Sequence, residues 1–237
     1  MTARSAEVAG LAGLLADRTR AAFCLALLDG RAWTATELAK HAKVAPSTTS
    51  EHLDRLIGGG LLVERRQGRH RYVQLAGSPA AELVETLASY VGPVPEPTGT
   101  LKAVTARAAL ARGRTCYDHL AGRLGVAIAD GMTSAGLLDQ SAGFALTDEG
   151  LSWLTGTLGA DRTALRSHRR PIARACLDWT ERRSHLAGLA GAQICLIFQE
   201  KSWVRRIGSD RAVRLTPAGE TALRDLFDID PTALALT

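Results

Sequence analysis

Two cysteine–histidine pairs carry the most reactive chemistry of this 237-residue chain: Cys116 and His119 in RTCYDHLAGRLG, and Cys176 and His185 in CLDWTERRSHLAG. Each pair leads into the same four letters, His119-Leu120-Ala121-Gly122 and His185-Leu186-Ala187-Gly188. A neighbouring thiol and imidazole can act as nucleophile and base, as metal ligands, or as inert groups of a core. Three readings stay open. Asp–His and Asp–Arg pairs could satisfy one another as buried polar packing. An organic-effector pocket could use Tyr117 and Trp179 as walls and Asp118, His119 and Arg182 as polar anchors. A metal site could use Cys116, His119, Cys176 and His185, whose donors suit zinc, although Cys-x-x-His and Cys-x8-His match no recognised finger spacing. The effector-binding candidates are thus Cys116, Tyr117, Asp118, His119, Cys176, Trp179, Arg182 and His185. No phosphate loop, nucleophile elbow or zincin motif supports an enzyme, so neither catalytic residues nor a cofactor or metal is expected.

The repeated letters belong to a longer duplication. Each copy continues into a helical stretch, RLGVAIADGMTSAGLL or LAGAQICLIFQEKSWV, then a hairpin. Leu146-Thr147-Asp148-Glu149-Gly150 then matches Leu215-Thr216-Pro217-Ala218-Gly219, with Thr placed to cap a following helix and Asp or Pro suited to its first turn. HLAG itself reads as the opening of a helix whose small residues let one repeat pack closely on the other.

The elements that precede this region are of another kind. AEVAGLAGLLAD has apolar residues at helical spacing, and Asp17 can cap the next helix, RTRAAFCLALLDG, which Gly30 ends. Thr34 and Glu37 form a capping box at the head of TELAKHA. Pro46 suits the first turn of PSTTSEHLDRLI, which the Gly58-Gly59-Gly60 run stops. LLVERRQGRHRYVQLA then reads as a hairpin turning at Gln67-Gly68, and SPAAELVETLASY as a last helix. Two short helices followed by a basic hairpin is the winged helix-turn-helix order. Ser47, Thr48, Ser50, Glu51 and His52 fall on the outer face of the second helix, where short polar groups can reach base edges, while Thr49, Leu53 and Leu56 face the core. Arg65, Arg66, Arg69, His70 and Arg71 concentrate charge at the hairpin, where a wing meets phosphates.

The stretch ELAKHAKVAPSTTSEHLDRLIGGGLLVERRQGRHRYVQL resembles the DNA-binding core of the ArsR/SmtB transcriptional repressors, over roughly residues 5–90. The resemblance implies a homodimer, formed by the first and last helices of the module, that binds a palindromic operator and leaves it when a ligand binds. The family's usual metal ligands are missing. Glu37-Leu38-Ala39-Lys40-His41 has no Cys-x-Cys pair, and AAELVETLASY has no histidine. An inducer site is therefore expected elsewhere. The C-terminal half is similar to an extension found in a subset of ArsR-like regulators.

The expected architecture is mainly α with short β-hairpins, an α+β class. A winged helix-turn-helix domain occupies residues 1–91 and a Pro-rich linker 92–100, where alternating prolines cannot continue a helix. A C-terminal domain of two winged-helix-like repeats (about 113–160 and 176–230) fills 101–237. Net charge is +5 and pI about 9.3, which leans toward an anionic partner. Four cysteines without a CxxC pair suit reduced thiols, and neither a membrane span nor a signal peptide is apparent. The expected protein is cytoplasmic, a homodimeric regulator of double-stranded operator DNA with a small-molecule effector. The competing expectations are a constitutive DNA-binding protein and a metal-responsive repressor using Cys116, His119, Cys176 and His185. The basic second hairpin (203–211) and the Arg166–Arg170 run read as solvated surface.

Overall fold

The computed structural model describes residues 2–68, 70–91, 101–166, 170–207 and 211–234. The Pro-rich linker, wing residue Arg69, the centre of the Arg166–Arg170 run and the tip of the second basic hairpin lie outside the described residues. The chain forms two compact units, residues 1–87 and 88–237.

The first unit begins with α1 (Ala3–Leu15) and α2 (Arg18–Leu27). Asp17 caps α2 by accepting from the Arg20 amide at 2.9 Å. Arg20 in turn donates to the carbonyls of Leu14 (2.5 Å) and Gly13 (2.9 Å), tying a cation to the open C-terminal end of α1. Strand β1 (Trp33–Thr34) leads into α3 (Ala35–Ala42), where the Thr34–Glu37 capping box forms in full. Lys43 adopts the left-handed conformation that turns the chain into α4 (Pro46–Gly58). Strands β2 (Leu62–Gln67) and β3 (His70–Leu75) pair antiparallel from Leu62↔Leu75 to Gln67↔His70, and β1 adds to β3 through Trp33↔Val73. The wing is therefore a three-stranded sheet in the order β1-β3-β2. Phe23, Leu27, Leu38, Leu53 and Leu56 of the helices and Val73 of β3 are completely buried. Helix α5 (Ser78–Val91) follows.

The second unit opens with α6 (Leu101–Arg112). The first repeat runs β4 (Arg114–Cys116), β5 (His119–Ala121), α7 (Gly122–Ser134), β6 (Leu138–Asp139), β7 (Ala145–Leu146) and α8 (Asp148–Gly156). The second runs β8 (Arg174–Leu177), β9 (Ser184–Ala187), α9 (Gly188–Glu200), β10 (Val204–Arg206), β11 (Val213–Leu215) and α10 (Pro217–Phe227). A 3-10 turn, Pro231–Leu234, ends the described chain. The duplication extends one hairpin further back than the sequence suggests, so each repeat is hairpin, helix, hairpin, helix. Thr147 and Thr216 cap α8 and α10 by accepting from Gly150 (2.9 Å) and Gly219 (3.1 Å), which explains the shared Leu-Thr-x-x-Gly.

HLAG is a strand, and only its final glycine enters the helix. Gly122 and Gly188 have φ of +73° and +86°, and a Cβ on either would lie 2.7 Å from a backbone oxygen, of Ala111 and Ile172 respectively. Only glycine turns the strand into the helix there. The short apolar run His-Leu-Ala reads equally well in either conformation, so this turn decides the matter.

The repeats cross. A Cβ on Gly125 of α7 would meet the Leu120 carbonyl at 2.3 Å and the His185 Cβ at 3.4 Å. One on Gly191 of α9 would meet the Leu186 carbonyl at 2.3 Å and the His119 Cβ at 3.2 Å. Each histidine strand thus lies under the other repeat's helix, and the shared core gathers Leu120, Ile128, Met132, Leu186, Ile194 and Phe198. Replacing Gly191 by Ala should lower the stability of this unit by about 1–3 kcal/mol through forced backbone displacement. Gly156→Ala, which meets nothing within 4 Å, should leave thermal unfolding within about 0.5 kcal/mol of the parent. Calorimetry of both variants checks the contrast.

Candidate nucleic-acid interface and a buried Cys/His cluster

On α4 the structure separates the residues as their spacing suggests. Thr49, Leu53 and Leu56 are fully buried, while Ser47, Ser50 and Glu51 are exposed and Thr48 is half-buried. Glu51 pairs with Arg55 at 2.6 Å one turn on. His52 departs from the outward face. Its Nδ1 lies 3.3 Å from the Arg20 guanidinium and 3.8 Å from Asp17, and its ring meets Phe23 edge-on. One helical turn separates it from the core residue Thr49, so it packs inward against α2.

The wing also divides. Arg65, Arg66 and His70 are exposed. Arg71 is held instead by Glu64 (2.5 Å) and Asp54 (2.6 Å), so it ties the wing to α4 and is engaged before any phosphate arrives. Helices α2, α3 and α4 sharing a buried apolar face, with the outer face of α4 polar and an exposed basic hairpin following it, define a winged helix-turn-helix DNA-binding protein.

The second unit brings its distant cysteines and histidines to one point. In the β4–β5 hairpin Cys116 stands directly opposite His119, and in the β8–β9 hairpin Cys176 stands opposite His185. Directly opposed residues share a face of the ribbon. Crossing the repeats then superposes the two pairs. The ligand atoms of all four residues lie within 4.8 Å of one another, and all four side chains are buried. The two Nε2 atoms are 3.1 Å apart.

The other ring nitrogens face carboxylates. His119 Nδ1 is 3.3 Å from Asp118, which Arg170 grips with both guanidinium nitrogens at 2.5 and 2.9 Å. His185 Nδ1 is 3.2 Å from Asp178. Asp178 is wholly buried. It accepts from Arg114 (2.8 Å), from the Gly122 amide at the start of α7 (2.7 Å), and from the Thr180 hydroxyl and amide (2.7 and 2.9 Å). Arg114 is fully buried too, and its guanidinium lies over the Trp179 ring at 4.8 Å. Burial pushes both carboxyls up, but the histidines and arginines beside them outweigh it. Asp118 falls to about 2, and Asp178 sits well below the usual carboxylate range. Burial drives the thiols of Cys24 and Cys195 up to about 12, as for inert core groups outside the cluster.

Of the residues singled out by sequence, Cys116, His119, Cys176 and His185 converge, with Asp118 beside them. Tyr117 is half-buried with φ of +59°, at the tight turn of its hairpin. Trp179 is committed to Arg114, and Arg182 is exposed. A crevice lined by Leu120, Gly125, Ile128, Leu186, Gly191 and Ile194 measures about 10 Å³, room for one water molecule. Sequence reasoning missed Arg114. Its signal was present: Arg114-Thr115-Cys116-Tyr117-Asp118 and Arg174-Ala175-Cys176-Leu177-Asp178 share Arg-x-Cys-x-Asp.

The chain is similar to proteins of one kind. The helix-turn-helix domain family matches residues 15–65. Over 224 residues the chain is 38% identical to the uncharacterized HTH-type transcriptional regulator YdfF of Bacillus subtilis, spanning 94% of this chain and 98% of that one. It is 38% identical over 88 residues to the HTH-type transcriptional regulator CmtR of Mycobacterium tuberculosis, 37% of this chain and 74% of that protein. Among solved structures, the homodimeric winged helix-turn-helix DNA-binding domain Mb0332 of Mycobacterium bovis, described as a possible ArsR-family regulator, is 27% identical. That match covers 38% of this chain and 87% of that one, with a TM-score of 0.34. The chain belongs to the HTH-type transcriptional regulators. No helix among the described residues is long and apolar enough to cross a membrane.

Asp178→Ala would leave Arg114 as an uncompensated buried charge and should cost about 3–5 kcal/mol. Arg182→Ala, at an exposed side chain, should cost under about 0.5 kcal/mol. Chemical denaturation of the two variants checks this ranking.

Proposed function

We propose that the protein is a homodimeric repressor whose grip on a palindromic operator is set by an effector sensed in its C-terminal unit. The observation that carries the reading is the exposed polar face of α4 beside the basic wing. Ser47 and Ser50, with Thr48 at the edge, meet base edges in the major groove, and Arg65, Arg66, Arg69 and His70 meet phosphates. His52 and Arg71 act one step back, holding α4 against α2 and the wing against α4.

The dimer reading is supported by α1, an apolar helix none of whose residues is buried. Val8 and Leu11 are exposed, as are Tyr90 (90%) and Val91 (70%) at the end of α5. Apolar surface of this kind on the first and last helices of the module is what a second copy of the chain would cover. The repressor role follows the ArsR-like resemblance. The effector role is supported by the concentration of buried thiol, imidazole and carboxylate groups in the second unit. Ligand binding there would release DNA by favouring an arrangement in which the two recognition helices no longer match the half-sites.

A gel-shift titration with the DNA upstream of the protein's own gene tests the reading. Sequence-selective binding that weakens with salt is expected. Binding indifferent to sequence, or absent at low salt, would overturn it. Replacing Arg65 and Arg66 together by Ala should weaken binding to all sequences alike and reduce the log–log salt slope by about two. Leu11→Glu should convert the dimer to monomer in analytical ultracentrifugation and abolish tight operator binding. A Leu11→Glu protein that remains dimeric would place the interface elsewhere.

A further inference from the structure

We infer that Cys116, His119, Cys176 and His185 form a closed four-ligand metal centre, filled by a zinc-class divalent cation, that joins the two repeats of the C-terminal unit. The inference concerns what the cluster holds and stands whether or not binding there alters operator affinity.

Geometry is the first support. In a tetrahedral site with metal–nitrogen bonds near 2.0 Å and metal–sulfur bonds near 2.3 Å, neighbouring nitrogens sit roughly 3.3 Å apart and neighbouring sulfurs roughly 3.8 Å. The two Nε2 atoms are 3.1 Å apart, and all four ligand atoms fall within 4.8 Å. The nitrogen pair is already at that spacing, and one ion at the centre reaches all four once the widest pair draws in from 4.8 Å.

The surrounding groups give independent support. His119 Nδ1 is within hydrogen-bond reach of Asp118 at 3.3 Å, and His185 Nδ1 lies 3.2 Å from Asp178 but outside hydrogen-bond geometry. In the tautomer with both Nδ1 atoms protonated, the two Nε2 atoms, 3.1 Å apart, present lone pairs to each other. That contact is repulsive unless a cation sits between them. Carboxylates behind histidines are also the groups that orient imidazole ligands in metal sites. Both are themselves fixed, by Arg170 and Arg114.

Charge balance agrees. On binding, the two thiols give up their protons to solvent and form metal–sulfur bonds, while each imidazole binds, neutral, through its Nε2 lone pair in place of the Nε2–Nε2 contact. Two thiolates and a divalent cation are neutral together, so the filled site suits a buried position. Four protein ligands leave no open coordination place, which makes the centre a structural tie rather than a catalytic one. His119 and His185 belong to strands pressed beneath opposite helices, so the ion would cross-link the halves at their crossing point.

The test uses the full-length chain kept reduced throughout. Metal released from freshly purified protein is counted, and chelator-stripped protein is titrated with Co(II) and then Zn(II). The expected result is one zinc per chain, with intense visible bands and thiolate-to-metal charge transfer that saturate at one Co(II) per chain and vanish as zinc displaces it. Cys116→Ser and Cys176→Ser should each lose or strongly weaken these bands. Cys24→Ala and Cys195→Ala should keep them. Should the ligand variants fail to fold, the wild-type titration decides alone. Absence of stoichiometric metal and of the bands in the wild-type chain overturns the inference, as does a Cys116–Cys176 disulfide persisting under reductant. Bands that survive loss of both cluster cysteines also overturn it.

Discussion

The C-terminal unit depends on one close approach made twice: a glycine of each central helix against the histidine strand of the other repeat. A Cβ on Gly125 or Gly191 would strike the Leu120 or Leu186 carbonyl of its own repeat at 2.3 Å. It would also touch the other repeat's His185 or His119 Cβ at 3.4 or 3.2 Å, so the bare glycine lets the helix lie between the two strands. That contact fixes how far each helix reaches across its neighbour, and therefore where His119 and His185 meet. The buried Arg114–Asp178 pair then closes the crossing, because Asp178 also accepts the first amide of α7 in the opposite repeat. A charged pair at zero exposure is costly to desolvate, and here nearly every lone pair of the carboxylate is used. Position in the fold and polar chemistry are therefore set by the same few atoms.

The two units solve different problems with similar parts. In the first, capping and a three-stranded wing leave a polar helix and exposed arginines on the outside, where an anionic polymer can reach them. Arg71, drawn back to Glu64 and Asp54, shows that part of the basic hairpin is spent on internal order. In the second, arginines turn inward, and Arg114 and Arg170 neutralise the carboxylates that stand behind the histidines. The net positive charge of the chain therefore overstates what is free for DNA.

Much of this was legible in the residues. Asp17, the Thr34–Glu37 box, Pro46 and the two Leu-Thr-x-x-Gly caps announce their helices through local hydrogen bonds, and the structure forms each of them. The alternation around Gln67-Gly68 likewise placed the wing. Strands β4 and β8 escaped because runs of three or four residues carry no periodicity. HLAG was misread as helical because only the left-handed glycine at its end distinguishes the two outcomes. Arg114 was missed because its partner lies 64 residues away. The Cys/His spacings looked unlike a finger because they belong to hairpins. A two-residue turn and an eight-residue excursion bring the same cross-strand pair together, so register matters there and sequence distance does not.

The central claim is that the duplication exists to bring two half-sites together as one buried ligand set. X-ray absorption at the metal edge of the zinc-loaded, full-length protein tests it most directly. The account predicts a first shell of two sulfurs near 2.3 Å and two imidazole nitrogens near 2.0 Å. A shell of oxygens alone, or one holding a single sulfur, would contradict it.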